Sequence, residues 1–207
     1  MSNKVIVTIG REFGSGGHEV GKRLAAALGI KFYDIRLAVQ KTGFHEDYVK
    51  SNEEKAPDFA ASALFSGIEL YQPSPYDKIH SEEYKLIREI AAEDSCVIVG
   101  RAADYILRDQ SHVSVFLFAP IEDRIKRKMA LLSGEEAKKM TPAQMEKIVK
   151  QMDKQRRRYY EYYTDTRWGE RDSYDLLINT SRAGIDGAVK IIRSYIESSR
   201  GESMMPD

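Results

Sequence analysis

Residues Gly10 to Val20 read GREFGSGGHEV, four glycines within eleven residues, set between an apolar β-branched run and an amphipathic helical pattern. Glycines at such a junction let the backbone turn tightly. Successive N–H groups and the positive end of the following helix dipole can then surround an anion. The chemistry suggested is phosphate binding, by Arg11, Gly14, Ser15, Gly16, Gly17 and His18. The common pattern GxxxxGK[ST] is not met: aligned on Gly14 and Gly16, its first Gly is Arg11, its Lys is Gly17 and its Ser/Thr is His18. A cation must then come from elsewhere. Arg11 is the nearest candidate and Lys22, more than a turn into the helix, the second. The other reading of the same glycines is a tight strand-to-helix connection with no ligand.

Charged residues at other junctions extend the pattern. Arg101 directly follows the apolar run Cys96–Val99, where its planar fork can hold a phosphate bidentately or pair with Asp104. Asp34 ends a short strand and reads two ways from its position: standing behind a metal, or capping a helix that starts near Ile35. Arg124 and Arg127 lie three apart on a helix after Pro120, and Asp153 and Arg156 are likewise three apart within DKQR. Twelve Lys or Arg stand against six Asp or Glu between Glu122 and Arg158. A solvated helix face is the plain alternative for that excess. Four histidines and Cys96 show no zinc spacing, and Cys96, opening an apolar strand, reads as a buried small hydrophobe. No acid ends the third strand, where Gly100 stands, so Mg²⁺ has Asp34, Asp104 or only water and phosphates as ligands, and metal residues stay unassigned.

The elements that position these residues follow from apolar periodicity. Lys4–Ile9, Lys31–Tyr33, Cys96–Val99, Val113–Phe118 and Leu176–Ile178 read as strands, the longer ones buried on both faces of a parallel sheet. Val20, Leu24, Ala27 and Leu28 mark a helix ended by Gly29, and Ile185, Val189, Ile192 and Ile196 mark the last one, with a frayed tail from Gly201. Between Ile35 and Asp94 the patterns are helical, with a loop at Tyr71–Lys78 and an N-cap at Ser81 ahead of Tyr84, Ile87 and Ile90. A second helical block runs from Ile121 to about Tyr163. In it Leu132–Lys139 reads as a joint, and Thr141, Pro142 and Gln144 as a capping box. Strands alternating with helices give an α/β sandwich. At 207 residues, 42% hydrophobic, with one Cys and a net charge of zero, the chain is expected to be one globular, cytoplasmic domain. Disulfide scaffolds, membrane spans and bulk-charge nucleic-acid binding are excluded.

Three blocks, GREFGSGGHEVGKRLAAALGIKFYD, VIVGRAADYIL and DKQRRRYYEYYTDTRWGERDSYDLLINTS, resemble the cytidylate kinase-like family of P-loop nucleoside monophosphate kinases. They fall in the expected order, and the resemblance extends from Val5 to about Ile192. It implies a P-loop three-layer sandwich of about five parallel strands with flanking helices. The expected organisation is a core at 1–34, 95–120 and 172–200, a helical monophosphate-binding arm at about 35–94 and a lid at about 121–171. It also implies Mg²⁺-dependent transfer of the γ-phosphoryl of ATP to a nucleoside monophosphate, CMP by the family's name. Arg101 then matches the arginine that grips the monophosphate, Asp34 the residue orienting the acceptor, and Arg156 the lid arginine of D-x-x-R. Asp104 and Asp153 join them on the acceptor side, and Arg124 and Arg127 join Arg156 as catalytic candidates. Tyr159, Tyr160, Tyr162, Tyr163 and Trp168 form the cluster that carries the family's YYxxYTxxxWG signature, and their aromatic character reads as packing that anchors the lid helices. The absent loop lysine keeps two other functions open: a silent nucleotide-binding module, or a kinase of another small metabolite.

Overall fold

The computed structural model describes residues 4–35 and 75–201. Five strands form one all-parallel sheet: β1 (Ile6–Arg11), β2 (Lys31–Asp34), β3 (Cys96–Val99), β4 (Val113–Phe118) and β5 (Leu176–Asn179). Their order is β2-β3-β1-β4-β5, which puts the glycine-rich turn after β1 at the centre of the sheet's carboxyl edge. Open parallel sheets bind ligands at that edge. The first strand lies two residues later than its apolar run suggests. Val5 sends its N–H to Ser95 Oγ and only its carbonyl accepts from β3, from the Cys96 amide at 2.9 Å, while Gly10 and Arg11 continue in register with Phe116 and Leu117 of the longer β4.

Alternation along β1 sorts the core into two layers. Val7 and Ile9 join Val20, Leu24, Val115 and Ile192 on one face, under α1 (Gly17–Leu28). Ile6 joins Ile87, Ile98 and Leu107 on the other, under α2 (Pro75–Glu93) and the short α3 (Ala103–Ile106). Helices on both faces of a parallel sheet are the sandwich the sequence implies. Helix α1 ends as expected: Gly29 is left-handed, and the N–H groups of Gly29 and Ile30 return to the carbonyls of Ala26 and Ala25.

The arm departs from expectation where the structure describes it. Helix α2 begins at Pro75, so the anticipated loop is helical from Pro75 to Lys78, and Ser81 lies inside the helix instead of capping it. A proline in the first turn needs no amide partner and has φ already set for helix, so it starts α2 where it was read as a breaker. Residues 36–74, which hold most of the expected arm, and the tail beyond Gly201 lie outside the described residues.

The block after β4 is helical: α4 (Ile121–Ala130), α5 (Gly134–Lys139) and α6 (Pro142–Tyr163), then a single 3₁₀ turn. The expected joint at 132–139 is thus a short helix from Gly134, with Lys138 and Lys139 in its last turn, where they favour the dipole. The capping box forms in full at Thr141. Helix α7 (Thr180–Gly201) is kinked at Gly184 and buries Val189, Ile192 and Ile196 as its spacing requires. Among the described residues no helix is long and apolar enough to cross a membrane.

Candidate phosphate cradle and acceptor cleft

The turn from β1 into α1 is held by its carbonyls. The carbonyl of Arg11 accepts from Arg156 Nη1 at 3.2 Å, that of Glu12 from Ser15 Oγ at 2.8 Å, and that of Phe13 from Arg124 Nη1 at 3.3 Å. Gly14 O accepts from Arg127 Nη1 at 2.6 Å, Ser15 O from Thr180 Oγ1 at 2.7 Å, and Gly16 O from the Val20 amide at 3.0 Å. Six successive acceptors are therefore taken by protein donors. Among the described residues the amides of Gly14, Gly16, Gly17 and His18 have no protein acceptor, and the helix start carries no side-chain cap. Left-handed φ at Gly14 (83°) and Gly16 (86°) makes this sorting of acceptors from donors possible. A Cβ on Gly14 would meet the Arg124 carbonyl at 2.9 Å. Unpaired amides at a helix N-terminus suit a phosphate chain, so the residues present fit a nucleotide donor.

Arg124 and Arg127 of α4 and Arg156 of α6 are consequently placed at the loop itself. Arg124 is 7% exposed, lies 3.4 Å from Glu12 Oε2, and also bonds Asp153 Oδ2. Asp153 Oδ1 accepts the Phe13 amide at 2.7 Å. Arg124 and Asp153, expected at the reacting phosphates and the acceptor, hold the back of the loop in this structure, where the buried guanidinium and the partly buried carboxylate satisfy each other. Burial raises the Glu12 carboxyl above its ordinary range, opposed by the Ala119 amide and the Arg124 charge. Ser15 is fully buried with its hydroxyl turned to Glu12 O.

His18 and Asp34 meet across the helix start, Nδ1 to Oδ2 at 2.9 Å. That contact ties the end of β2 to the cradle. Asp34 Oδ1 is buried without a hydrogen-bond partner among the described residues, which fits a group awaiting a cation or a substrate hydroxyl. No group of three or more His, Cys, Asp or Glu is arranged for a metal ion among the described residues.

Beside the cradle, the carboxyl ends of β1 and β3 open a cleft lined by Arg11, Arg101, Asp104, Arg156, Tyr160 and Trp168, enclosing about 40 Å³. Its floor is a left-handed turn, Gly100, Arg101 and Ala102, at φ 98°, 57° and 51°. Positive φ at two successive non-glycine residues is costly backbone, of the kind that clusters at functional sites. Arg101 does not pair with Asp104. Its Nε lies 3.0 Å from Oε1 of Glu83, a fully buried carboxylate on α2, and its guanidinium covers the Tyr159 ring at 4.9 Å. Tyr159 donates to Glu83 Oε2 at 2.5 Å and meets His80 Nδ1 at 2.9 Å. Asp104 instead accepts from Tyr160 Oη at 2.6 Å, and burial raises its carboxyl despite that bond. The aromatic rings after Arg158 pack on one another and on Phe116 and Tyr174, and two of their hydroxyls also hold the cleft's acids. Sequence reasoning passed over Glu83 and Thr180. The available signal for Glu83 was its place four and seven residues before the buried Ile87 and Ile90.

Residues 6–182 match the model of the cytidylate kinase-like family. The chain belongs to the cytidylate kinase-like family. Relatives named cytidylate kinase include one from Desulfurococcus amylolyticus, 27% identical over 89% of this chain and 88% of its own length. Another, from Thermococcus kodakarensis, is 32% identical over 67% of this chain and 70% of its own length. Among solved structures, an uncharacterized protein from Eubacterium ventriosum superposes with a TM-score of 0.70 at 29% identity, covering 94% of this chain and 99% of that one. Shikimate kinase from Bacteroides thetaiotaomicron superposes at 0.58 with 14% identity over 93% and 98%, a likeness of fold alone. This cytidylate kinase-like chain therefore has the P-loop kinase fold that its strand order describes.

Proposed function

We propose that the protein is a nucleoside monophosphate kinase that moves the γ-phosphoryl of ATP to a monophosphate, CMP first among candidates, yielding ADP and CDP. One observation carries the reading. Six loop carbonyls are consumed by protein donors while four amides beside an arginine-lined cleft are left for an anion. Phosphoryl transfer needs little more than positioned anions and neutralised charge. The donor's phosphates lie on Gly14, Gly16, Gly17 and His18 beside Arg11, with Ser15 shaping the turn. The acceptor lies in the cleft against Arg101, with Asp34 and Asp104 facing its polar groups. Of the three lid arginines only Arg156 also lines the cleft, so it takes the transferring charge, while Arg124, Arg127 and Asp153 hold the loop. Asp34 Oδ1 is the group that would hold Mg²⁺, which would supply positive charge to offset that of the phosphates. The division into core, arm at 35–94 and lid at 121–171, and a cytoplasmic location, belong to the same reading. CMP is favoured by the names of the relatives.

The test is incubation with ATP, Mg²⁺ and a panel of nucleoside monophosphates, following ADP release, with thermal shifts alongside. ADP release that depends on CMP is expected, and ATP at 100 times its dissociation constant should add about 2.7 kcal/mol of stability. Stabilisation by ATP without transfer to any acceptor would instead indicate the silent module, and transfer only to a non-nucleotide hydroxyl the other metabolite kinase.

A further inference from the structure

Two departures from the common phosphate-loop chemistry stand at separate places in the chain: glycine where the loop lysine belongs, at 17, and glycine where an acid would end β3, at 100. In the structure both glycines face one side chain. A Cβ on Gly17 would lie 2.8 Å from both Cβ and Cγ of Arg11. A Cβ on Gly100 would lie 2.5 Å from Arg11 Nη1 and 3.1 Å from Cζ and Nη2. The arginine thus leaves β1, passes the first residue of α1 with its stem, and ends with its guanidinium against the turn after β3. One end of that path is the amide cradle, and the other is the cleft lined by Arg101 and Asp104.

The two contacts differ in kind. At Gly17 the added carbon meets the root of the side chain, which is fixed because Arg11 is paired with Leu117 in the sheet and its carbonyl is held by Arg156. At Gly100 it meets the tip, which can swing, but only by withdrawing charge from the cleft, and φ there is already 98°. Of the other cations, Arg156 reaches the same cleft from α6 while bonded to the Arg11 carbonyl, and three more lie off the line between cradle and cleft. Arg124 and Arg127 are bonded to the carbonyls of Phe13 and Gly14, and Lys22 is exposed farther along α1.

We propose that Arg11, threaded between Gly17 and Gly100, is the cation that replaces the absent loop lysine and reaches from donor to acceptor phosphates, and that glycine at both positions exists to admit it. The inference rests on the kinase reading and deepens it. As an acceptor phosphate oxygen bonds to the γ-phosphorus, the bond from that phosphorus to the bridging oxygen breaks and negative charge passes to the β-phosphate of ADP. A permanently charged planar fork between the two groups offsets that charge without depending on pH.

The test pairs activity with a steric cycle. Arg11→Met should lower kcat by at least about 10²-fold, within the range of an arginine serving transferring phosphate, and weaken ATP binding by titration. Gly17→Ala should lower Tm in the native background, and that loss should shrink when the same substitution is made in Arg11→Gly, which removes both the Cβ and the Cγ it would meet, so the two changes are not additive. Unchanged ATP affinity and turnover in Arg11→Met, or a strictly additive cycle in Tm, overturns the proposal. If the unmodified protein binds no nucleotide and transfers nothing, the kinase reading fails, while the Tm cycle, which needs no substrate, still decides whether Gly17 makes room for Arg11.

Discussion

Arg101 and Glu83 form an ion pair with side chains 10% and 1% exposed, so little water compensates either charge. Removing one partner leaves the other buried, which costs about 3–5 kcal/mol, whereas replacing both by neutral groups of similar shape costs far less. Urea unfolding should therefore show Arg101→Met strongly destabilised and Arg101→Met/Glu83→Gln largely restored in stability. Acceptor KM should stay raised in both, since the fork is gone from each. Restored acceptor affinity in the double variant would show that Arg101 has no part in binding. Asp104 gives a pH test. Burial raises its carboxyl above the ordinary 3.8, so the folded state holds that proton more tightly than the unfolded chain. Its favourable contribution is whole below the unfolded pKa and is lost as pH rises through the folded one. Asp104→Asn keeps an acceptor for Tyr160 and removes that loss, so its Tm relative to the unmodified protein should climb from about pH 4 upward. Parallel Tm curves for the two proteins would contradict the assignment. At this scale the glycines and arginines of the site are visible as residue types at junctions. Glu83 is not, because a carboxylate in an amphipathic pattern looks like a solvated face until the buried Ile87 and Ile90 reveal which side it shares.

Helix boundaries show what local chemistry can and cannot announce. Thr141, Pro142 and Gln144 specify their own geometry: the threonine hydroxyl accepts the Gln144 amide at 3.2 Å, and Gln144 Oε1 accepts the Thr141 amide at 2.8 Å. That box is legible because all its partners lie within four residues. It also carries long-range weight, since α6 delivers Asp153 and Arg156 to the loop. Thr141→Ala should cost about 1 kcal/mol in denaturant unfolding. A loss near zero would mean that tertiary contacts alone fix the start of α6. The start of α2 is illegible by the same logic. Proline in a first turn and proline in a loop leave the same sequence, and only the packing of the helix on β3 separates them. The shift of β1 has a similar cause, because the extra pairing of Gly10 and Arg11 depends on the length of β4, which lies a hundred residues away.

The whole molecule brings three separately encoded pieces to one edge, and the hydroxyl of Tyr159 bonds across two of them. It joins α6 to Glu83 on α2 at 2.5 Å, beside the cleft that Arg101 and Arg156 line. On the kinase reading the acceptor sits in that cleft, and the bond holds α6, which lines it, closed against α2. Closure of this kind keeps water from competing with the acceptor for the transferring phosphoryl group. Tyr159→Phe keeps the ring under Arg101 and deletes only the hydroxyl. Its expected signature is uncoupling: ADP release without acceptor should rise several-fold against ADP release with CMP, while ATP affinity, set by the amides after β1, stays as it was. Measuring ADP and CDP in the same reaction gives the ratio directly. If one ADP still accompanies each CDP and acceptor-free hydrolysis is unchanged, the hydroxyl is structural glue and closure is governed elsewhere. If ATP affinity falls as well, the lid and the cradle are mechanically one unit, joined through Asp153 and its bond to the Phe13 amide.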